Sequence, residues 1–99
     1  MGIVTEVEFV RHARDRLLER LIKVEEVENV LFRPTATYFD LVTGYFVALG
    51  RRALKHGHWL IVVYEKRDGV RRVISVLDTT KANEIAQNRE ARGRWLKTR

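Results

Sequence analysis

The sequence contains no cysteine and one proline in 99 residues. Without thiols there can be no disulfide, no cysteine nucleophile and no cysteine zinc site, and the composition fits a cytoplasmic setting. No apolar run approaches the roughly 20 residues that a membrane helix requires. Glu6 and Glu8 interrupt the first residues, so neither a membrane span nor a signal peptide is expected. The six glycines form neither a phosphate-cradling loop nor a paired-glycine dinucleotide fingerprint. Repeats and low-complexity stretches are also missing.

What is present is ordinary apolar content, 45% of the chain, and an uneven charge. One domain spanning residues 1–99 is the default for this length. The net charge is +6, but residues 1–50 hold 6 Lys/Arg against 8 Asp/Glu, whereas residues 51–99 hold 13 against 5. A basic half suits a polyanion or an acidic protein partner. Solubility and surface ion pairs are the alternative use of the same charge.

Pro34 divides the chain. Before it, Val10, Ala13, Leu17 and Leu21 make one helical apolar face, and Val24, Val27, Val30 and Leu31 make a second. The link around Ile22–Lys23 is short, which predicts a helical hairpin or one bent helix. Pro34 biases Arg33 away from the helical region, so the second helix should end near Phe32. After Pro34 the pattern becomes strand-like. TATYFDLV, YFVALGRR, HWLIVVYEK and VRRVISVL read as four strands, with a turn at Thr43-Gly44 and a loop at LKHGH. Asp68-Gly69 between two apolar runs predicts a tight hairpin. Asp78 or Thr80 can cap a last helix running to about Trp95. The expected fold is α+β: two N-terminal helices, a four-stranded antiparallel meander and a C-terminal helix, with the helices on one side of the sheet.

A two-residue turn at Asp68-Gly69 places Glu65 opposite Arg72, Tyr64 opposite Val73 and Lys66 opposite Arg71. Extending that register puts Val63, Ile74, Ile61 and Val76 on the Glu65 face, and Val62, Leu60, Val73, Ser75 and Leu77 with Tyr64. Both faces are apolar toward the middle, so the hairpin should be central and covered on both sides.

Several residues could carry chemistry. His56-x-His58 offers two of the three or four ligands a metal needs, with no carboxylate clearly joining them; a polar loop containing Gly57 is the preferred reading, and no metal or other cofactor is expected. Ser75 has no elbow sequence around it and reads as a packed strand residue. Glu65 opposite Arg72 is either a cross-strand ion pair or an acid beside a phosphate-binding arginine, close to Tyr64 and Lys66. His12, Arg16 and Arg20 stand four apart on one helix face; Arg11–Asp15 and Arg16–Glu19 spacings explain that stripe as a salt-bridged surface. Near the C-terminus, Arg89, Arg92, Arg94, Lys97 and Arg99 surround Trp95. That arrangement suits RNA backbone contact, or a solvated end with Trp95 docked on the core.

Two resemblances bear on these residues. FVRHARDRLLERLIKVEEVENVLFRP resembles the start of an uncharacterised prokaryotic family with a Phe-x-x-His-Ala-x-x-Arg helix. YFVALGRR and HWLIVVYEKRDGVRRVISVLDTTKANE resemble the core of the BrnT toxin family, through Tyr64, Arg67-Asp68-Gly69, Arg72, Ile74 and Ser75. BrnT toxins belong to the RelE-like group. The resemblance implies a RelE-like α+β fold and a metal-independent endoribonuclease that restrains translation. It implies the toxin of a type II toxin–antitoxin system, neutralised by a cognate antitoxin, typically one with a ribbon-helix-helix part. Carried over residue by residue, it supports His12, Glu65 and Arg72, with Tyr64 and Arg16 beside them. The expected catalytic set is His12, Glu65, Arg72 and Tyr64, and Arg16 together with Arg71, Lys66, Arg89 and Arg92 from the hairpin and the basic tail are candidate RNA or phosphate contacts. If these form one site, His12 and Arg16 face the sheet edge near Glu65 and Arg72. Where the family usually has an arginine after Ile-Ser, this chain has Leu77, which motivates the alternative of a non-catalytic RNA- or DNA-binding domain on the same fold. Expected partners are RNA and the antitoxin, with a homodimer also admitted and no membrane.

Overall fold

The hairpin at Asp68-Gly69 organises the molecule. Both turn residues have positive φ, 52° at Asp68 and 80° at Gly69, as a two-residue type I′ connection requires. The structure, a computed structural model, describes residues 6–98. In chain order the elements are β1 (Glu6–Phe9), α1 (Arg11–Glu19), α2 (Val24–Phe32), β2 (Ala36–Asp40), β3 (Phe46–Arg51), β4 (Trp59–Arg67), β5 (Val70–Thr79), α3 (Ala82–Ala91) and β6 (Trp95–Lys97). The α+β class is as expected, and β2 to β5 are the antiparallel meander.

The meander is not the whole sheet. Six strands lie in the order β1-β5-β4-β3-β2-β6. β1 runs parallel to β5 and makes the sheet mixed, and β6 pairs with β2 at the other edge. Both added strands are very short, which limits the periodic signal they carry. The last helix correspondingly stops at Ala91, and Trp95 belongs to β6. The expected caps of that helix are also displaced. Lys81 occupies the N-cap position, its amide donating to Thr79 Oγ1, and Asp78 remains in β5.

The helices do not share one side of the sheet. On one face, Ala13 and Leu17 of α1 and Val27, Val30 and Leu31 of α2 pack with Ala48, Leu60, Val62, Tyr64, Val73 and Val76. On the other, Ala82 and Ala86 of α3 pack with Tyr38, Val47, Leu49, Ile61 and Trp95. This two-sided burial is the physical reason the central strands read as nearly continuous apolar runs. Gly50 sets the closeness of α2: a Cβ there would lie 2.9 Å from Val30 Cγ2.

The hairpin register holds through Glu65–Arg72 and Tyr64–Val73, then shifts. Val63 pairs with Ser75, so Ile74 is an extra residue on β5, a β-bulge. Beyond it every β5 side chain changes side. Val76 joins the α1/α2 core, while Ser75 and Leu77 move opposite Val63 and Ile61. Uniform alternation assigns these three residues to the wrong faces.

A buried ionic cluster joins the elements at the far end of β4 and β5. Arg52 donates Nε and Nη2 to the two Glu26 carboxylate oxygens at 2.9 Å each, and Nη1 to Asp78 Oδ2 at 2.8 Å. His58 Nδ1 lies 2.7 Å from Asp78 Oδ1. Arg52 and Glu26 are buried, so the bidentate geometry is what compensates their removal from water. His58, one of the two loop histidines, is thus engaged by a carboxylate.

Candidate nucleic-acid interface

The α1/α2 face of the sheet is only partly roofed. A row of side chains crosses it in register: Leu96 opposite Phe39, Phe39 opposite Phe46, Phe46 opposite Tyr64, and Tyr64 opposite Val73. Residues at matched positions share a face, so this is one continuous ladder. The Phe39 and Phe46 rings meet edge to face at 5.2 Å, and Phe46 stacks on Tyr64 at 5.8 Å. Phe39 and Phe46 are half-buried and Tyr64 is buried.

One step along the strands toward the hairpin, a cationic row replaces the aromatic one. Lys66 and Arg71 are cross-strand partners. Lys66 Nζ sits 4.9 Å from the Phe46 ring, and the Arg71 guanidinium lies 5.3 Å from Phe32 and 5.9 Å from Tyr64. Arg71 Nη1 donates to the Leu31 carbonyl oxygen at 2.7 Å, tying the sheet to the last turn of α2. One step the other way stands Thr37, whose hydroxyl is 2.7 Å from that of Thr98.

Thr37, Thr98, Phe46, Tyr64, Lys66 and Arg71 line a cleft of about 310 Å³, walled by Leu31, Phe32 and Pro34 at the end of α2. Its floor is aromatic, one end is cationic and the other carries two hydroxyls. Burial pushes the Tyr64 phenol above its ordinary pKa, only partly opposed by the Arg71 charge. At neutral pH Tyr64 is therefore a neutral hydroxyl able to donate a hydrogen bond.

Of the residues singled out in the sequence, Tyr64, Lys66 and Arg71 meet in this cleft. The others lie elsewhere. Glu65 and Arg72 form their cross-strand pair, 3.4 Å apart, and line a separate depression with Glu8, Arg67, Asp68 and Val70. They alternate with Tyr64 and Val73 along their strands and so point to the opposite side of the sheet. His12 and Arg16 flank a small hollow with Ser75, Val76 and Leu77 rather than standing by Glu65 and Arg72. The expected juxtaposition does not form, because α1 crosses the sheet on the face that Glu65 and Arg72 do not occupy. Arg16 lies 3.9 Å from Glu19, matching the salt-bridge spacing. Arg89 lies 6.0 Å from the ring of Trp95, Arg92 caps α3, and buried Trp95 packs on Tyr38 at 5.2 Å. The tryptophan is docked in the second core.

The residues that the sequence did not single out are Phe32, Phe39, Phe46, Thr37 and Thr98. The cross-strand register of β2 with β3 would have aligned the two strand phenylalanines. Among the described residues, no group of three or more histidine and acidic side chains is arranged to hold a metal ion, and no helix is long and apolar enough to cross a membrane. Neither a family model, nor a curated protein, nor a solved structure matches the chain.

Proposed function

We propose that the chain binds single-stranded RNA across the α1/α2 face of its sheet. The observation that supports this is the half-buried Phe39–Phe46 pair, backed by the buried Tyr64, beside the cationic pair Lys66–Arg71. Unpaired bases stack on aromatic rings whatever their identity, and Lys and Arg neutralise the connecting phosphates. Duplex nucleic acid hides its base faces and cannot use such a ladder. Fluorescence anisotropy with a labelled single-stranded oligoribonucleotide tests the reading. Binding should weaken with salt, and Phe46→Leu and Lys66→Ala should each reduce affinity. Affinity unchanged by both substitutions would refute it.

A second reading is an endoribonuclease toxin of the RelE-like kind, metal-independent, cytoplasmic and held by an antitoxin. Its support is the meeting of Tyr64, Lys66 and Arg71 in one cleft. Lys66 and Arg71 would stabilise charge growing on the phosphate oxygens, and the neutral Tyr64 phenol would protonate the leaving 5′-oxygen. No histidine or carboxylate lines that cleft to take the 2′-hydroxyl proton, so its chemistry suits binding better than cleavage. Cleavage of RNA in EDTA, abolished by Tyr64→Phe, would establish the second reading; intact RNA after prolonged incubation would exclude it.

A further inference from the structure

We infer that the cleft accommodates one unpaired nucleotide, with the Thr37–Thr98 hydroxyl pair reading the edge of its base. The inference rests on the RNA-binding reading and assigns the end of the cleft which that reading leaves unused. Three rows follow one another along the strands: Thr37, then Phe39–Phe46–Tyr64, then Lys66–Arg71. Alternate residues are about 6.6 Å apart along a strand and neighbouring strands about 4.8 Å apart, so the Thr37 row lies about 13 Å from the cationic row along the strand axis and two to three strands to one side, with Phe46 and Tyr64 between them. A nucleotide with its phosphate on Lys66 and Arg71 and its base on Phe46 directs the far edge of that base toward the hydroxyls. The cleft volume of about 310 Å³ is at the lower end for a small-molecule site and suits one nucleotide, not a duplex.

The hydroxyl chemistry supports the same assignment. Thr37 Oγ1 and Thr98 Oγ1 are 2.7 Å apart, so one donates to the other. The accepting hydroxyl retains its own hydrogen, and the donating oxygen retains its lone pairs. The pair therefore offers one donor and one acceptor side by side. Every base has a neighbouring donor and acceptor on its Watson–Crick edge, and base pairing occupies that edge. A reader of this kind selects unpaired nucleotides first and then ranks bases by fit.

The fold has little need of these hydroxyls. The backbone already ties the two residues, the Thr98 amide donating to the Thr37 carbonyl oxygen at 2.9 Å. The hydroxyl contact is exposed, where such a bond adds little stability.

The test measures anisotropy with labelled A, C, G and U homopolymers and a matched RNA duplex at fixed salt. The wild-type chain should bind single strands over the duplex, with about fivefold or more between best and worst homopolymer, as one hydrogen bond permits. The Thr37→Val/Thr98→Val double variant should keep its salt slope and lose the base preference. Thr37→Ser/Thr98→Ser, which keeps both hydroxyls, should retain the preference and guards against a packing effect. Equal affinity of the wild type for all four homopolymers, or a preference surviving in the valine variant, overturns the inference while leaving RNA binding in place. No binding to any single strand overturns both.

Discussion

Arg71 reaches from β5 to the end of α2, where its guanidinium donates to the Leu31 carbonyl oxygen at 2.7 Å. The same side chain lies against Phe32 and Tyr64 and lines the cleft. It is therefore both a tie between helix and sheet and a candidate phosphate contact. Arg71→Lys keeps the charge but gives up the planar fork, and the two roles separate in that variant. In salt titrations the log–log slope should persist in Arg71→Lys and shrink by about 0.7 in Arg71→Ala, the loss of one phosphate contact on a single strand. An identical slope in all three proteins would remove Arg71 from the interface.

The aromatic ladder makes a separable prediction. Phe46→Leu preserves apolar bulk and deletes the π-face. RNA affinity should fall by about fivefold to 150-fold, the worth of one base stacked on an aromatic ring. Thermal unfolding of the same variant should show only a small shift.

Arg52 should be among the least replaceable residues for stability. Its fork satisfies Glu26 twice and Asp78 once in a buried setting. Arg52→Ala strands a buried carboxylate and should cost about 3–5 kcal/mol, read from urea unfolding. Replacing Arg52 and Glu26 together by apolar residues should recover much of that loss.

The carboxylates predict the direction of acid sensitivity. The Arg52 hydrogen bond holds Glu26 below its ordinary pKa. Burial raises Asp78 and Asp40, but His58 and Arg52 around Asp78 more than offset it, as do the Val42 amide, Arg94 and the Thr43 amide around Asp40. A carboxylate depressed in the folded state binds its proton more readily when unfolded. Its contribution is complete above the ordinary value of about 4 and disappears as pH falls through the folded value. Urea midpoints should hence change little from these groups between pH 7 and about 5, then drop below about 4. Asp78→Asn should be less stable at pH 7 and show a shallower acid decline.

Gly50 predicts a steric effect without any charge. Gly50→Ala drives a Cβ to 2.9 Å from Val30 Cγ2, and valine has few rotamers with which to retreat. The cost should be about 1–3 kcal/mol, with α2 displaced outward. Val30→Ala in the same chain should relieve part of it.

The local pattern carried a large share of the fold, for identifiable reasons. Helices α1 and α2, the meander and the Asp68-Gly69 turn all rest on short-range signals: apolar spacing, the restriction before Pro34, and residues suited to positive φ. β1 and β6 escaped because four and three residues hold too little periodicity, and their pairing partners lie far away in sequence. The bulge at Ile74 escaped because an extra residue leaves no compositional trace, yet it reassigns Val76 to the other core. The side of the sheet taken by α3 was not legible from its thin apolar face.

The candidate site divides in the same way. Tyr64, Lys66 and Arg71 were reachable from hairpin register alone. Phe39 and Phe46 required the pairing of a different hairpin, and Thr98 required knowing that the chain returns along β2. His12 and Glu65 failed to converge because linear order cannot say on which side of a sheet a helix passes.

The parallel pairing of β1 with β5 imposes an order of assembly. β1 emerges from the ribosome before the other described elements, but its hydrogen-bonding partner follows both N-terminal helices and three further strands. The β1–β5 pairing cannot form until β5 has been made, and closing so long a loop is slow. Until then Val7 and Phe9 lack the strand beside which they pack. A nascent chain halted before Val70 should therefore leave its leading strand open to proteases that spare it in the finished protein.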